Sequence, residues 1–243
     1  MPEGPSIVIL KEEVQEFIGK KIIEVSGNTK IDQDRLLHQK IIDFKSWGKH
    51  FLICFKGFSL RVHFLLFGTY RINEQKDSPA RLHLGFANGE INFYACSLQY
   101  IDTPLDEVYD WTADIMNENW DENAAIKKLR KQPDALVLDV LLDQNIFAGS
   151  GNIFKNEVPY RIKVHPLSRI GALPPPILRD LVRETQHYSF DFYIWKRCYV
   201  LKKNWLAHTK KTCVRCKIPL TKAYLGKTAR RTFFCEKCQV LYT

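Results

Sequence analysis

Two sets of residues in this 243-residue chain have types and spacings suited to chemistry. The first is Pro2-Glu3. A small penultimate residue such as Pro2 allows removal of Met1, which would leave a secondary amine as the terminus. An α-amino group titrates near ~8, so part of it is neutral at pH 7 and can attack a carbonyl-like carbon to form an iminium. Glu3 stands beside it as a proton donor or acceptor. Taken alone, the pair also fits an ordinary chain start with a solvated glutamate. The second set is Cys213-x2-Cys216, a spacer of eighteen residues, then Cys235-x2-Cys238. Two such knuckles facing each other make a four-thiolate cage for one structural Zn2+, with no open position left for catalysis.

The elements that must position these groups follow from periodicity. Ser6 to Lys20 reads as one amphipathic helix. Strand signals follow at Lys21–Val25, Ile41–Phe44, His50–Phe55, Ser59–Phe64 and Tyr70–Asn73. Leu82–Ala87 and Glu90–Ala95 flank Asn88-Gly89, a dipeptide suited to a type I′ hairpin turn. Residues 20–101 are therefore expected as an antiparallel sandwich or flattened barrel. An acidic connector, Thr103–Asn119, leads into helical segments at Ala124–Lys131, Ala135–Leu142, Ile153–Tyr160 and Pro175 to about Tyr199. Gly149-Ser150-Gly151-Asn152 interrupts them. Its glycines permit positive φ, and Asn152 opens a helix whose free N–H groups favour a phosphate. The spacer Lys217–Phe234 suits a β-hairpin that carries Lys222, Lys227, Arg230 and Arg231 toward a DNA groove.

Composition sets the class of partner. There are 36 Lys+Arg against 27 Asp+Glu, a net charge of +9, which favours a polyanion. Thirteen of the basic residues lie between Lys196 and Lys237, beside one acidic residue, Glu236. Neither a membrane-length apolar run nor a signal peptide is present, so a cytoplasmic, nucleoid-associated protein is expected. In that compartment Cys54, Cys96 and Cys198 read as buried structural thiols rather than a disulfide framework.

In this order, the motifs resemble the formamidopyrimidine-DNA glycosylase / endonuclease VIII family. The resemblance rests on Pro2-Glu3-Gly4-Pro5, Trp47-Gly48-Lys49-His50, Leu142-Asp143-Gln144 through Asn152-Ile153, Glu157, His165-Pro166 and the finger with Arg230 five residues before Cys235. It implies an α+β fold in three parts: an N-terminal antiparallel β-sandwich (1–115), a helix–two-turn–helix domain (116–205) and a four-cysteine zinc-finger β-hairpin (206–243). It implies a monomer acting on damaged DNA, with glycosylase and abasic-site lyase activity by β,δ-elimination. Pro2 would be the nucleophile and Glu3 the general acid that opens the sugar ring. Lys49 would contact phosphate and assist catalysis. Asn152, Arg230 and Arg231 would grip phosphates, and His63 would lie near the DNA backbone. Glu157 would be an acidic residue of the helix that faces the DNA cleft.

Within the family, Leu65-Leu66-Phe67 falls where the endonuclease VIII branch fills the vacated base stack, although a buried strand end also fits it. The formamidopyrimidine branch uses an Arg-x-Phe where this chain has Tyr94-Ala95-Cys96-Ser97-Leu98-Gln99. Oxidised pyrimidines are therefore the expected substrates. The alternatives are an 8-oxoguanine enzyme with the same mechanism, and a non-catalytic DNA-binding zinc protein. Ser6 stands where many members carry a glutamate, which bears on substrate choice and turnover.

Overall fold

The structure is a computed structural model that describes residues 2–243. It forms two compact units, Met1–Asp110 and Trp111–Thr243, so the division falls inside the acidic connector. The segment 206–243 belongs to the same unit as the helices before it. Among the described residues, no helix is long and apolar enough to cross a membrane.

The first unit opens with α1 (Gly4–Glu13), which has Pro5 in its first turn, where the missing N–H costs no hydrogen bond. The helix stops short of the expected Lys20. After Val14 the chain tightens into a 3-10 turn at Gln15–Phe17, and this lets the fully buried Phe17 reach Phe86, with ring centroids 4.6 Å apart. Six antiparallel strands follow: β1 (Ile22–Ser26), β2 (Asp43–Trp47), β3 (His50–Phe55), β4 (Phe58–Ile72), β5 (Leu82–Phe86) and β6 (Gly89–Ile101). Their order is β1-β5-β6-β4-β3-β2. A bridge from Lys21 to Lys40 ties the start of β1 to the segment entering β2, so the sheet curls around one core. Leu10, Phe51, Ile53 and Phe93 are among its fully buried members.

Two local features depart from the sequence expectation. Phe86 pairs with Gly89, so the β5–β6 turn is Ala87-Asn88, and of residues 87–89 Gly89 alone has positive φ (149°). A type I′ turn needs positive φ at both central residues, and the strand register overrides the dipeptide preference here. The segments 59–64 and 70–73 also form one strand rather than two. Its register breaks between Phe64↔Cys96 and Thr69↔Tyr94, leaving Leu65–Gly68 opposite Ala95 alone. Gly68 makes this bulge possible, because a Cβ there would lie 2.6 Å from the Ala95 carbonyl oxygen and 2.9 Å from the Leu65 nitrogen.

In the second unit, α2 having ended the first at Leu105–Val108, the helices are α3 (Glu122–Arg130), α4 (Val137–Val140), α5 (Asn152–Arg161) and α6 (Pro175–Arg197). Asp121 caps α3, accepting from the amides of Asn123 and Ala124 at 2.8 and 3.1 Å. Phe154 of α5 packs edge-on against Tyr188 of α6 at 5.0 Å in the helical core. The hairpin is β7 (Thr221–Leu225) and β8 (Arg230–Phe234), with Arg230 and Arg231 on β8 as expected. Cys54 and Cys96 are buried, but Cys198 is exposed. It caps the C-terminus of α6, beyond the buried stripe that ends at Phe192.

Candidate functional site

The N-terminal residues are held by burial. Gly4, Pro5, Ser6 and Ile7 of α1 are buried, Glu3 precedes them as the helix N-cap and is buried as well, and Pro2 is half-buried. The Ser6 amide donates to the Glu3 carbonyl at 2.8 Å, closing the first turn.

Lys49 sits in the two-residue turn between β2 and β3, because Trp47 pairs with His50. Gly48 has φ 53° and Lys49 does not share its positive φ, the pattern of a turn that needs glycine at its first central position. This turn holds Lys49 buried against the sheet. His63 lies across from His50 in the β3–β4 register, and its Nδ1–H donates to the Lys49 carbonyl at 3.2 Å. His50 Nδ1 is 3.2 Å from the Tyr109 hydroxyl, and Trp47 packs on both rings at 5.6 and 5.0 Å. Burial, followed by the charges of Arg61, His63 and Lys49, pushes His50 down to about 3. Burial also lowers His63. Neutral imidazoles and aromatic rings therefore stand among the neighbours of the Lys49 turn. Directly after Phe64, the bulge presents Leu65, Leu66 and Phe67 with exposures of 50, 66 and 85%, which removes the buried-strand-end reading.

In the second unit the glycine turn is stapled by its own side chains. Gln144 Oε1 accepts from the Gly149 amide at 3.1 Å, and its Nε2 donates to the carbonyls of Leu142 and Ser150. The Ser150 hydroxyl donates to Leu141 O at 2.6 Å. Gly149 takes positive φ (101°), but Gly151 is extended at −145°, so only the first glycine is required by backbone shape. Asn152 is the first residue of α5, and its Oδ1 is buried with no hydrogen-bond partner among the described residues. One turn on, Lys155 donates to Arg230 O, Arg231 O and Thr232 Oγ1 at 3.2, 3.2 and 2.9 Å. The arginine-bearing strand and the Asn152 helix are thus brought together, and both arginines are exposed. Burial and then the Arg230 charge push Lys155 down to about 8.

The side chain of Glu157 turns inward from α5. It is fully buried, and its carboxylate accepts from the amides of Leu206, Ala207 and His208 at 2.7–3.0 Å. The four cysteine sulfurs lie within 4.8 Å of one another and can hold a metal ion. The Cys216 amide donates to Cys213 Sγ at 3.4 Å, and the Tyr160 hydroxyl lies 3.1 Å from the same sulfur. Sequence reasoning missed His50, Tyr109, Lys155 and Asn156. Local spacing gave no signal for the α5 residues: at 100° per residue Lys155, Asn156 and Glu157 fall on the side away from the core residues Phe154 and Val158, where a helix ordinarily meets solvent.

Residues 1–102 match the family model described as the formamidopyrimidine-DNA glycosylase N-terminal domain. The chain is 29% identical over 202 residues to endonuclease 8-like 3 of Mus musculus, covering 79% of this chain and 33% of that protein. It is 25% identical over 205 residues to the DNA-(apurinic or apyrimidinic site) lyase Nei2 of Mycolicibacterium smegmatis, covering 80% of each. Its fold superposes on a Lactococcus lactis formamidopyrimidine DNA glycosylase, solved bound to DNA containing an abasic site, with TM-score 0.85 at 22% identity over 98% of this chain and 99% of that one. The fold is that of the formamidopyrimidine DNA glycosylase structures, with a four-cysteine cluster able to hold a metal in its last segment. In sequence the chain is thus similar to the formamidopyrimidine-DNA glycosylase / endonuclease VIII family, whose N-terminal domain its residues 1–102 match. It spans about a third of the length of the first curated relatives it matches (33, 38 and 33%).

The His50 environment makes a pH prediction. Its folded value, about 3, lies below its ordinary 6.5, so between the two the unfolded chain binds a proton that the folded chain refuses. Stability from this group is complete above about pH 6.5 and is lost as pH falls toward about 3, with a slope of up to about 1.4 kcal/mol per pH unit. Denaturant unfolding should show that decline, and His50→Gln should flatten it. An identical pH profile in the variant would contradict the assignment.

Proposed function

We propose that this chain is a bifunctional DNA glycosylase and abasic-site lyase of base-excision repair. The observation that carries the reading is the N-terminus: Pro2 directly precedes a helix whose first turn is buried, with the buried Glu3 beside it. Met1 lies outside the described residues, and its removal frees the Pro2 amine. That amine attacks C1′ of a nucleotide flipped out of the stack, and the base departs as the iminium forms. Glu3 gives the proton that opens the sugar ring. The iminium withdraws electrons from the neighbouring C–H, so β- and then δ-elimination cut the strand on both sides of the sugar. Lys49 and His63 contact the backbone near the reacting sugar. Asn152 at a helix N-terminus, with Arg230 and Arg231, grips phosphate. The protein works as a nucleoid-associated cytoplasmic monomer in this reading, which rests there on its basic charge.

Oxidised pyrimidines are the favoured lesions. The exposed Leu65-Leu66-Phe67 bulge supports this branch, as a hydrophobic wedge able to occupy a vacated stack. So does β6, which runs as a strand through Tyr94–Gln99 and offers no Arg-x-Phe loop. The second reading, an 8-oxoguanine enzyme, shares every catalytic residue.

The metal is zinc in this proposal. Cys213 and Cys238 sulfurs are 3.7 Å apart, and a tetrahedron of ~2.3 Å Zn–S bonds has edges of about 3.8 Å. Four thiolates close the site, so the ion supplies folding free energy to the finger and takes no part in the reaction.

Three measurements test these statements. Borohydride reduction with abasic-site DNA should trap a covalent adduct that disappears in Pro2→Gly or with a blocked N-terminus; no adduct from the unblocked chain would sink the lyase. On duplexes carrying thymine glycol, 5-hydroxyuracil, dihydrouracil or 8-oxoguanine, the oxidised pyrimidines should be cut fastest. Fastest cleavage of 8-oxoguanine opposite cytosine selects the second reading instead. Chelation should release one zinc per chain and abolish DNA binding while the first unit stays folded, as followed by its near-ultraviolet dichroism; binding that survives complete zinc removal would exclude a finger role.

A further inference from the structure

Lys155 is fully buried, and an ammonium removed from water is costly unless each of its donors is used. All three are, and their acceptors belong to three consecutive residues of one strand, β8. β7 occupies only one edge of β8. The other edge is taken by α5, where Lys155 meets the carbonyls and Asn156 Oδ1 accepts from the Phe233 amide at 2.7 Å. Asn156 Nδ2 also donates to the Asn152 carbonyl at 2.7 Å, within the turn of α5 that carries Asn152. The hairpin tip is fixed separately. The Lys227 amide donates to Asp139 Oδ1 at 2.9 Å, and Gly226 (φ 74°) packs so closely on Leu138 and Asp139 that a Cβ would overlap both.

We propose that Lys155 is a positioning residue for anion binding: by fixing the backbone of Arg230 and Arg231 against α5, it sets where their guanidinium groups stand relative to Asn152, so that all three address one DNA phosphate region. This rests on the reading of Arg230 and Asn152 as phosphate contacts. Lys155 touches no ligand itself, since none of it is exposed. A methionine of similar length would fill the space but leave the Arg230 and Arg231 carbonyls without this donor, so the hairpin would keep its tip anchor and its metal while β8 shifts.

The test uses the full chain and a duplex containing a tetrahydrofuran abasic analogue, with Kd followed by fluorescence anisotropy across a salt series. Lys155→Met should weaken binding about tenfold and lower the salt slope by about one, as Arg230→Ala does. The double variant should lose less than the product of the two single losses, because the lysine acts in part through Arg230. Thr232→Val, which removes a single acceptor of the lysine, should shift binding in the same direction by a smaller factor. Metal content is measured on every variant. Losses that multiply in the double variant, or Lys155→Met binding unchanged where Arg230→Ala is weakened, overturn the positioning role and leave the proposed function standing. If Lys155→Met loses its metal, Thr232→Val decides: binding unchanged with full metal overturns the proposal. Unaltered binding by Arg230→Ala overturns the phosphate reading and this inference together.

Discussion

The last 38 residues, 206–243, carry too little apolar surface to fold alone, and the strand that bears Arg230 and Arg231 depends on how α5 receives it. Their own core is a small cluster of Tyr160, Ala207, Cys213, Leu220 and Cys235, one member of which is lent by α5. Segments below about 40 residues generally need a metal, disulfides or a partner surface. Here the partner surface is polar. The Glu157 carboxylate gathers three successive amides, Leu206, Ala207 and His208, at the point where the chain turns from the helices toward the first knuckle. Each charge-assisted bond of this kind contributes about 1.5–3 kcal/mol. Removing the carboxylate would leave all three amides in a dry site, so the cost would exceed that of any one bond.

A helix can do this only if it is buried on nearly every side, and α5 is. Phe154 and Val158 enter the helical core, while Lys155, Asn156 and Glu157 turn to the finger. Burying a lysine and a glutamate three and five positions from a helix start is expensive, and the two do not neutralise each other; the lysine is held by two carbonyls and the Thr232 hydroxyl, the glutamate by three amides with Arg161 at 3.8 Å. That choice has a geometric consequence. A salt bridge between side chains tolerates rotation, whereas a charge bonded to several backbone groups at once fixes the chain that bears them. Arg161 closes the other end of α5, 3.7 Å from Glu184 and Asp191 and stacked 4.7 Å from the Tyr188 ring, so α5 is itself locked to α6. Rigidity therefore passes from α6 through α5 to the strand that carries the arginines.

The parts of this arrangement that were legible in the sequence are those written in spacing. The paired cysteines, the hairpin between them, the helix opening at Asn152 and the Gly48-Lys49 turn depend on a few residues close together in the chain. What escaped depends on distant partners. Lys155 and Glu157 look like solvent residues until the finger folds over them, because the partners of Glu157 lie 49–51 positions later and those of Lys155 75–77. The Ala87-Asn88 turn was displaced by strand register, a property of β5 and β6 jointly. The early end of α1 follows from Phe86, which no helical periodicity can reveal. The wedge at Leu65–Phe67 was ambiguous for a related reason: three apolar residues in a strand are buried or exposed according to whether the register holds, and Gly68 breaks it.

The terminal amine poses the opposite problem from the finger. Chain termini ordinarily fray, and a group on a fraying end cannot be held to a fraction of an ångström. α1 meets this by starting at once: Pro5 fixes the first turn, Ser6 closes it on the Glu3 carbonyl, and Gly4 to Ile7 are buried. Pro2 is left one residue outside the ordered helix, with a ring that restricts its own φ. Ser6 has a second meaning in this light. It is buried in the turn that orders Pro2 and Glu3, and its short side chain reaches less far than a glutamate would. Closing the turn requires only the Ser6 backbone amide, so in the proposed reaction the substitution bears on what lies beyond the first turn, the base and its surroundings, and leaves the placement of Pro2 and Glu3 intact.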